Sequence, residues 1–438
     1  MEEAEHTGDA TPIEQAKYAK EEALHLPHYD AASTQEQSAP TPTPVPEPIP
    51  APVPEPSPVA VVAPITPPPV SAPATPQNYG EYSVLTVGTE LAVLSPESPV
   101  RKRIFSYGKH FKSMHVVLMC GQSGQGTVQD GNVSVYPTNS SNKIARFFDA
   151  LRIGKATKGV DIVSSQDPFE TGFISWLIAR HHKAPLHVQV HTDFLAPEYA
   201  AHSFVNKIRV MIAGFVIARA SRVRVVSKIV GESIIAVYGP KVPVTVLPIY
   251  IDLARFATAK ITPDMGHKFM TFPKRALVVS RLEPEKNVSL AINAFKEGAP
   301  QDACLVILGE GSEYTVLERL VTKLQLDNRV FFEGFKDPAP FYALTDILLV
   351  TSEYEGYGQV IIEALAAHKP VLSTDVGVAK ESGAIIANPK EYGAALKQWY
   401  ENGPKEGTLT NYPYPSLDDY VQKYCEDISA VKAKIAKA

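Results

Sequence analysis

Short, almost purely apolar runs alternate with helical stretches from residue 82 onward, and this alternation restricts the fold more than any other property of the chain. Candidate strands recur at 82–88, 115–119, 133–136, 161–164, 186–191, 222–226 and 244–247. Helical spacing fills most of the gaps, notably over 99–111, 170–182 and 203–220. Strands this apolar need cover on both faces, so the alternation implies a doubly wound parallel sheet with helices on either side. With 438 residues the chain has room for two such domains and a tail.

One later segment carries chemistry as well as fold. The run Asp346-Ile347-Leu348-Leu349-Val350 reads as a buried parallel strand, and Ser352-Glu353-Tyr354-Glu355-Gly356-Tyr357-Gly358-Gln359 follows as a glycine turn. The turn opens the helical stretch Val360-Ile361-Ile362-Glu363-Ala364-Leu365-Ala366. Glu355 thus lies in the turn, and Glu363, eight positions on, is expected two helical turns in. Backbone N–H groups at a helix start attract anions, and glycines let a phosphate approach. An acid further down the helix can accept hydrogen bonds from sugar hydroxyls, so the segment suits a nucleotide-sugar.

Four other segments accompany it in order: Ala276-Leu277-Val278-Val279-Ser280-Arg281-Leu282-Glu283-Pro284-Glu285-Lys286-Asn287, Leu305-Val306-Ile307-Leu308-Gly309-Glu310-Gly311, Val330-Phe331-Phe332-Glu333-Gly334, and Pro370-Val371-Leu372-Ser373-Thr374-Asp375-Val376-Gly377 with Glu381. Together the five resemble the nucleotide-sugar-binding half of the retaining, family 4 type glycosyltransferases of GT-B fold, with their Glu-x7-Glu motif. The acceptor-side half is resembled by Asp161–Pro168, by Ala220–Ser227 and by the turn from Val246 to Phe256. The resemblance implies two Rossmann-like, doubly wound domains facing across a cleft. It assigns Arg281 and Lys286 to the leaving diphosphate, Glu363 to the ribose hydroxyls, and Glu355 to the donor sugar and acceptor. Gly356, Tyr357, Gly358, Gly309 and Gly311 fall around the donor. His191, which ends the alternating run Leu186-His187-Val188-Gln189-Val190, resembles the family's histidine reaching over the donor sugar. The implied activity is transfer from a nucleoside-diphosphate sugar, with retention, to a glycan or lipid-linked acceptor. Purely structural readings stand beside these: a solvated pair for Arg281 and Lys286, an ordinary helix carboxylate for Glu363, a silent turn residue for Glu355, and a strand-end histidine for His191. Gly309 and Gly311 read more plainly as structural.

Departures from the pattern concentrate on the acceptor side. Ile249-Tyr250 stands where relatives carry Asn-Gly, and Ser280 replaces a glycine before Arg281. The stretch Leu94-Ser95-Pro96-Glu97-Ser98-Pro99 has no counterpart to a Gly-Gly loop. No Asp-x-Asp pair sits in a suitable loop and no His/Cys cluster has metal-ligand spacing, so no metal or other cofactor is expected. Fixed cations and helix N-termini must then stabilise the diphosphate. A catalytically silent GT-B scaffold working through its tail is the rival from another class. A phosphorylase or epimerase of similar fold is a minor alternative.

Residues 1–79 read as a disordered, Pro-rich tail. Proline recurs through 40–76, a polyproline II spacer reaching on the order of 110 Å at roughly 3.1 Å per residue. A short helix is conceivable at 13–24 but marginal alone. The domains are then 80–258 on the acceptor side, 259–412 for the nucleotide-sugar, and 413–438 as a terminal helix crossing back. Charge is uneven. Residues 1–79 hold 2 basic and 11 acidic groups (−9), 80–258 hold 20 and 12 (+8), and 259–438 hold 20 and 24 (−4). The basic domain carries an apolar helix around 210–217. Such a helix can rest on anionic lipid, or it can be core with solvated ends. Nucleic acid is not expected, because no aromatics interleave with the basic groups. Three well-separated cysteines suit a reducing compartment. An acidic start and no eighteen-residue apolar run argue against a signal peptide or membrane span. A cytoplasmic protein, at the inner face of the membrane where lipid contact holds, is the expectation.

Overall fold

The apolar runs form two parallel sheets in a computed structural model that describes residues 79–239 and 242–433. The first sheet comprises β1 (Tyr79–Gly88), β2 (Phe111–Leu118), β3 (Val128–Asp130), β4 (Val133–Pro137), β5 (Ile162–Ser165), β6 (Leu186–Val190), β7 (Arg222–Val225) and β8 (Val244–Val246). Their order is β3-β4-β2-β1-β5-β6-β7-β8, parallel except for the β3–β4 hairpin. The second sheet holds β9 (Lys274–Val279), β10 (Ala303–Leu308), β11 (Val330–Gly334), β12 (Ile347–Val350), β13 (Val371–Ser373) and β14 (Ile385–Ile386), ordered β11-β10-β9-β12-β13-β14. The order reverses beside β1 and β9, which is where open α/β sheets leave a crevice for ligands. The proline-rich tail and the possible helix at 13–24 lie outside the described residues; Tyr79, assigned to the tail, opens β1.

Three expected boundaries move. The first helix is Pro99–Gly108, and Phe111 begins β2 instead of ending the helix. The Asn132 side-chain amide donates to the carbonyls of Gly108 and Phe111 at 2.6 and 2.7 Å, tying off the helix end against the neighbouring hairpin. The glycine-free stretch 94–99 joins this helix to a preceding 3₁₀ turn, Leu91–Leu94. It includes Ser98, whose hydroxyl caps the Val100 N–H at 3.1 Å with Pro99 in the first turn. Further on, the helix after the glycine turn is Gln359–Ala366, so Glu363 stands about one turn in, not two.

The last helix, Leu417–Ala433, packs on the first sheet. Alternation along β6 explains how. Val188 and Val190 point into one core layer, while His187 and Gln189 face the terminal helix. His187 pairs with Asp427 at 2.9 Å and with the Ser164 hydroxyl at 3.0 Å. Arg222 reaches the other Asp427 oxygen at 2.5 Å, and Gln189 donates to the Tyr424 hydroxyl at 2.9 Å. Burial alone would raise the Asp427 carboxyl, but the His187 hydrogen bond and charge and the Arg222 guanidinium outweigh it and push it down to about 2. The Tyr424 ring stacks on Tyr107 at 4.1 Å, and Cys425 is fully buried beside it.

Candidate active site

Loops at the C-terminal ends of β9, β10 and β12 form one wall of a cavity of about 880 Å³. The loop after β6 and the Ile249 turn close it from the other domain. The volume falls in the range of small-molecule sites. Of the residues singled out from sequence, His191, Arg281, Lys286, Gly309, Glu355, Gly356, Tyr357, Gly358 and Glu363 line it. Gly311 does not: it lies against the Leu282 backbone, where an added Cβ would stand 2.2 Å from the carbonyl oxygen. Gly356 marks where the domains meet. A Cβ there would fall 1.8 Å from the His191 carbonyl oxygen, so only glycine allows the two backbones to touch at the cleft floor. Gly358, at φ 84°, turns the chain into the Gln359–Ala366 helix.

The charged side chains are already engaged with one another. Lys286 Nζ lies 2.5 Å from Glu355 Oε1, which also accepts from Ser352 Oγ at 2.8 Å. Both partners of that ion pair are only 15% exposed, so water screens them little. Arg281 pairs with Glu285 at 2.5 Å but is 68% exposed, a weak surface contact that leaves its guanidinium available to a ligand. Glu363 accepts from the Tyr342 hydroxyl at 2.9 Å. Burial raises its carboxyl above the ordinary range, against the opposing Tyr342 hydrogen bond and Arg255 charge. Arg255 itself pairs with Asp337 at 2.6 Å on the cavity rim.

His191 is exposed to the cleft yet lies deep between the two domains. The surrounding protein, then the Arg224 and Arg103 charges, lower its pKa. Because the ring still meets cleft water, the direction is what counts: the imidazole is neutral near neutral pH and offers one donor and one acceptor. Tyr342, Ser352, Arg255, Asp337 and Phe335 were not anticipated. Phe335 is 85% exposed at the cavity rim, a large apolar ring open to a ligand. Among the described residues no group of three His, Cys, Asp or Glu side chains is placed to hold a metal ion.

Residues 267–412 match the family model described as "Glycosyl transferases group 1", and residues 114–249 match the "Glycosyl transferase 4-like domain". Together the two stretches cover more than half of the chain and place it among the glycosyl transferases. Among curated relatives of this glycosyl transferase, the α-monoglucosyldiacylglycerol synthase of Streptococcus pneumoniae is 27% identical over 52% of this chain and 54% of its own length. The N-acetyl-α-D-glucosaminyl L-malate synthase of Bacillus anthracis is 35% identical over 23% and 26%. The chain therefore spans about half or less of these relatives' lengths. In three dimensions it is similar to the sucrose-phosphate synthase of Thermosynechococcus elongatus, with a TM-score of 0.62, 16% identity, and 82% of this chain and 98% of that one covered. Anabaena HepE in complex with UDP-glucose gives a TM-score of 0.58 at 19% identity, covering 81% and 98%. At such identities the likeness shows the fold: two Rossmann-like domains in the GT-B arrangement.

Proposed function

We propose that this glycosyl transferase moves a sugar from a nucleoside-diphosphate sugar to a glycan or lipid-linked acceptor, with retention at the anomeric carbon and without a bound metal. One observation carries the reading. A single interdomain cavity gathers two cations (Arg281, Lys286), two carboxylates (Glu355, Glu363) and a neutral histidine. Lys286, now held by Glu355, and the exposed Arg281 suit a departing diphosphate. Glu363, oriented by Tyr342, suits the ribose hydroxyls. In retention by same-face attack the acceptor oxygen bonds to the anomeric carbon as the carbon–phosphate oxygen bond breaks. The acceptor proton passes to the departing phosphate oxygen, and no protein nucleophile takes part. His191 then holds the sugar from the opposite wall.

Thermal-shift titrations with UDP-, GDP- and ADP-sugars in EDTA test this on wild type and Glu363→Ala. Stabilisation by one nucleotide class in wild type and its loss in the variant is expected; UDP-sugars come first, since the HepE neighbour holds UDP-glucose. No shift with any donor would move the reading to the silent scaffold.

We also propose that the N-terminal domain rests on an anionic lipid surface. The helix Phe204–Ile217 buries Ala213, Val216 and Ile217 but exposes Phe204, Ile208 and Met211 along one face. The helix Lys143–Ala156 exposes Ile144 and Phe148, and both helices flank Glu170–His182. Lys143, Lys155 and Lys207 stand on these two helices and add positive charge near the exposed apolar residues, while Arg152 and Arg209 are paired with Asp149 and Glu170.

A further inference from the structure

A second cavity, of about 320 Å³, opens beside the first and shares His191, Ile249 and Gln359 with it. Apart from Gln359 it is lined from the acceptor side, by the helix Pro99–Gly108 and the ends of β5, β6 and β7, and by the terminal helix. Its back wall carries Arg224, which is 2% exposed. The guanidinium donates from Nη1 to Gln189 Oε1 at 2.7 Å, and from Nη2 to the Tyr420 hydroxyl at 3.1 Å. Nε and Nη2 both reach the Leu247 carbonyl, at 3.3 and 3.1 Å. These four contacts use four of five N–H groups and leave one on Nη1. The Tyr424 and Tyr420 rings lie 5.1 and 5.8 Å from its centre, a cation–π contact that offsets part of the cost of burial. Among the described residues no carboxylate pairs with it.

A buried cation without a counter-ion is expensive, and proteins ordinarily pair it. Here a second cation faces the same space. Arg103, half-buried on the Pro99–Gly108 helix, lines the cavity and makes no ion pair among the described residues. The two acids that line it are turned to their own backbone. Glu90 accepts from the Ala92 N–H at 3.3 Å, and Asp167 from the Phe169 N–H at 2.8 Å. The cavity thus carries two arginines that form no ion pair with its two carboxylates, and one end of it lies at His191, where a donor sugar would be held.

We propose that this recess binds an anionic group of the acceptor, a phosphate or carboxylate, between Arg224 and Arg103. The proposal rests on the glycosyl-transfer reading and adds the acceptor's chemical class. The planar forks of two arginines suit a flat or tetrahedral oxyanion. An anion seated there would place the rest of the acceptor toward His191 and the donor cavity. The alternative is that Arg224 only ties β7 to the terminal helix.

The test uses the full chain carrying Arg281→Ala and Lys286→Ala, so that the donor cavity keeps only Arg255 and Lys336, which are paired with Asp337 and Glu333. Calorimetric titration with inorganic phosphate and with malonate is expected to show one site. Adding Arg103→Gln should weaken it about ten- to a hundredfold, the scale of one charge-assisted contact. Arg224→Lys, which keeps a cation against the tyrosines but loses the fork, should weaken it too. Arg103→Gln decides the matter alone where Arg224→Lys disturbs folding. No binding of either anion, or binding that survives Arg103→Gln, overturns the proposal. Monomeric dihexanoyl phosphatidic acid separates the sources. Tighter, Arg103-dependent binding than phosphate points to a lipid phosphate, and binding of the small anions alone to a soluble acceptor. No nucleotide enters these titrations, so they can fail while the donor thermal shifts succeed, and the reverse.

Discussion

Lys286 and Glu355 hold each other at 2.5 Å in a poorly screened pocket, so either can be displaced only by a ligand of matching charge. Lys286→Ala is therefore expected to lower kcat/KM for a donor about ten- to a thousandfold, the loss typical for removing a stabiliser of developing negative charge. Steady-state kinetics with unchanged Tm would check it; wild-type rates would remove Lys286 from the chemistry. Glu363 gives a pH-dependent counterpart. Burial raises its carboxyl and Tyr342 opposes the rise, so Tyr342→Phe should raise it further. The ionised form accepts hydroxyl protons, so donor KM should increase as pH falls through that raised value. In the variant the increase should set in at higher pH. Donor KM measured across pH in both proteins decides, and superimposable profiles would refute the role of Tyr342. These residues differ in how legible they were. Lys286, Glu355 and Glu363 sit in segments whose glycines and strand ends announce a ligand loop. Arg255 at the cavity and Tyr342, buried behind Glu363, come from other helices, Leu253–Ala257 and Ala339–Leu344, that show only ordinary apolar spacing.

At the level of elements, the strand and helix order was readable because the core strands are either continuous apolar runs, as in β10 and β12, or alternate cleanly, as in β6 and β7. What escaped was decided by contacts distant in sequence. The early end of the Pro99–Gly108 helix depends on Asn132, more than twenty residues away. The β3 strand needed its partner β4 to be seen, although Gly131-Asn132 between them is a hairpin signal. The docking of Leu417–Ala433 was expected, but its means, Asp427 between His187 and Arg222, was not visible in sequence. Removing one member of a buried ion pair leaves the others unsatisfied, so Asp427→Ala should cost about 3–5 kcal/mol of stability at neutral pH. The pH sign follows from the depressed carboxyl. Its contribution is complete above the unfolded value of about 4 and is lost as pH falls toward about 2. Wild type should therefore lose more stability between pH 5 and pH 2 than Asp427→Ala does (range roughly that of the titration). Urea unfolding at both ends measures the difference, and equal losses would show that the pair does not secure the helix.

For the whole molecule, the uneven charge visible in sequence becomes a surface. The sequence raised two readings of the apolar helix around 210–217, core or lipid-facing; one face of the helix is core, and the face left exposed is the one the proposed lipid contact needs. Ala213, Val216 and Ile217 are in the core, while Phe204 and Met211 are 76% and 75% exposed. Among the described residues no helix is long and apolar enough to cross a membrane. Each basic group near an anionic bilayer contributes about 1 kcal/mol, and each large apolar side chain about 1.5–3 kcal/mol when fully buried. Neither term alone holds a protein firmly, but together they favour anionic over neutral lipid. Sedimentation with phosphatidylglycerol vesicles should pull down wild type, with phosphatidylcholine vesicles doing so weakly and salt releasing the protein. Phe204→Glu with Met211→Glu should reduce binding at least about tenfold, since two apolar contacts are lost and two like charges are introduced. Both residues are outside the two cavities, so nucleotide-sugar binding should persist in that variant. Equal sedimentation of variant and wild type would mean that this face meets something other than lipid, and the acceptor would then have to arrive from solution.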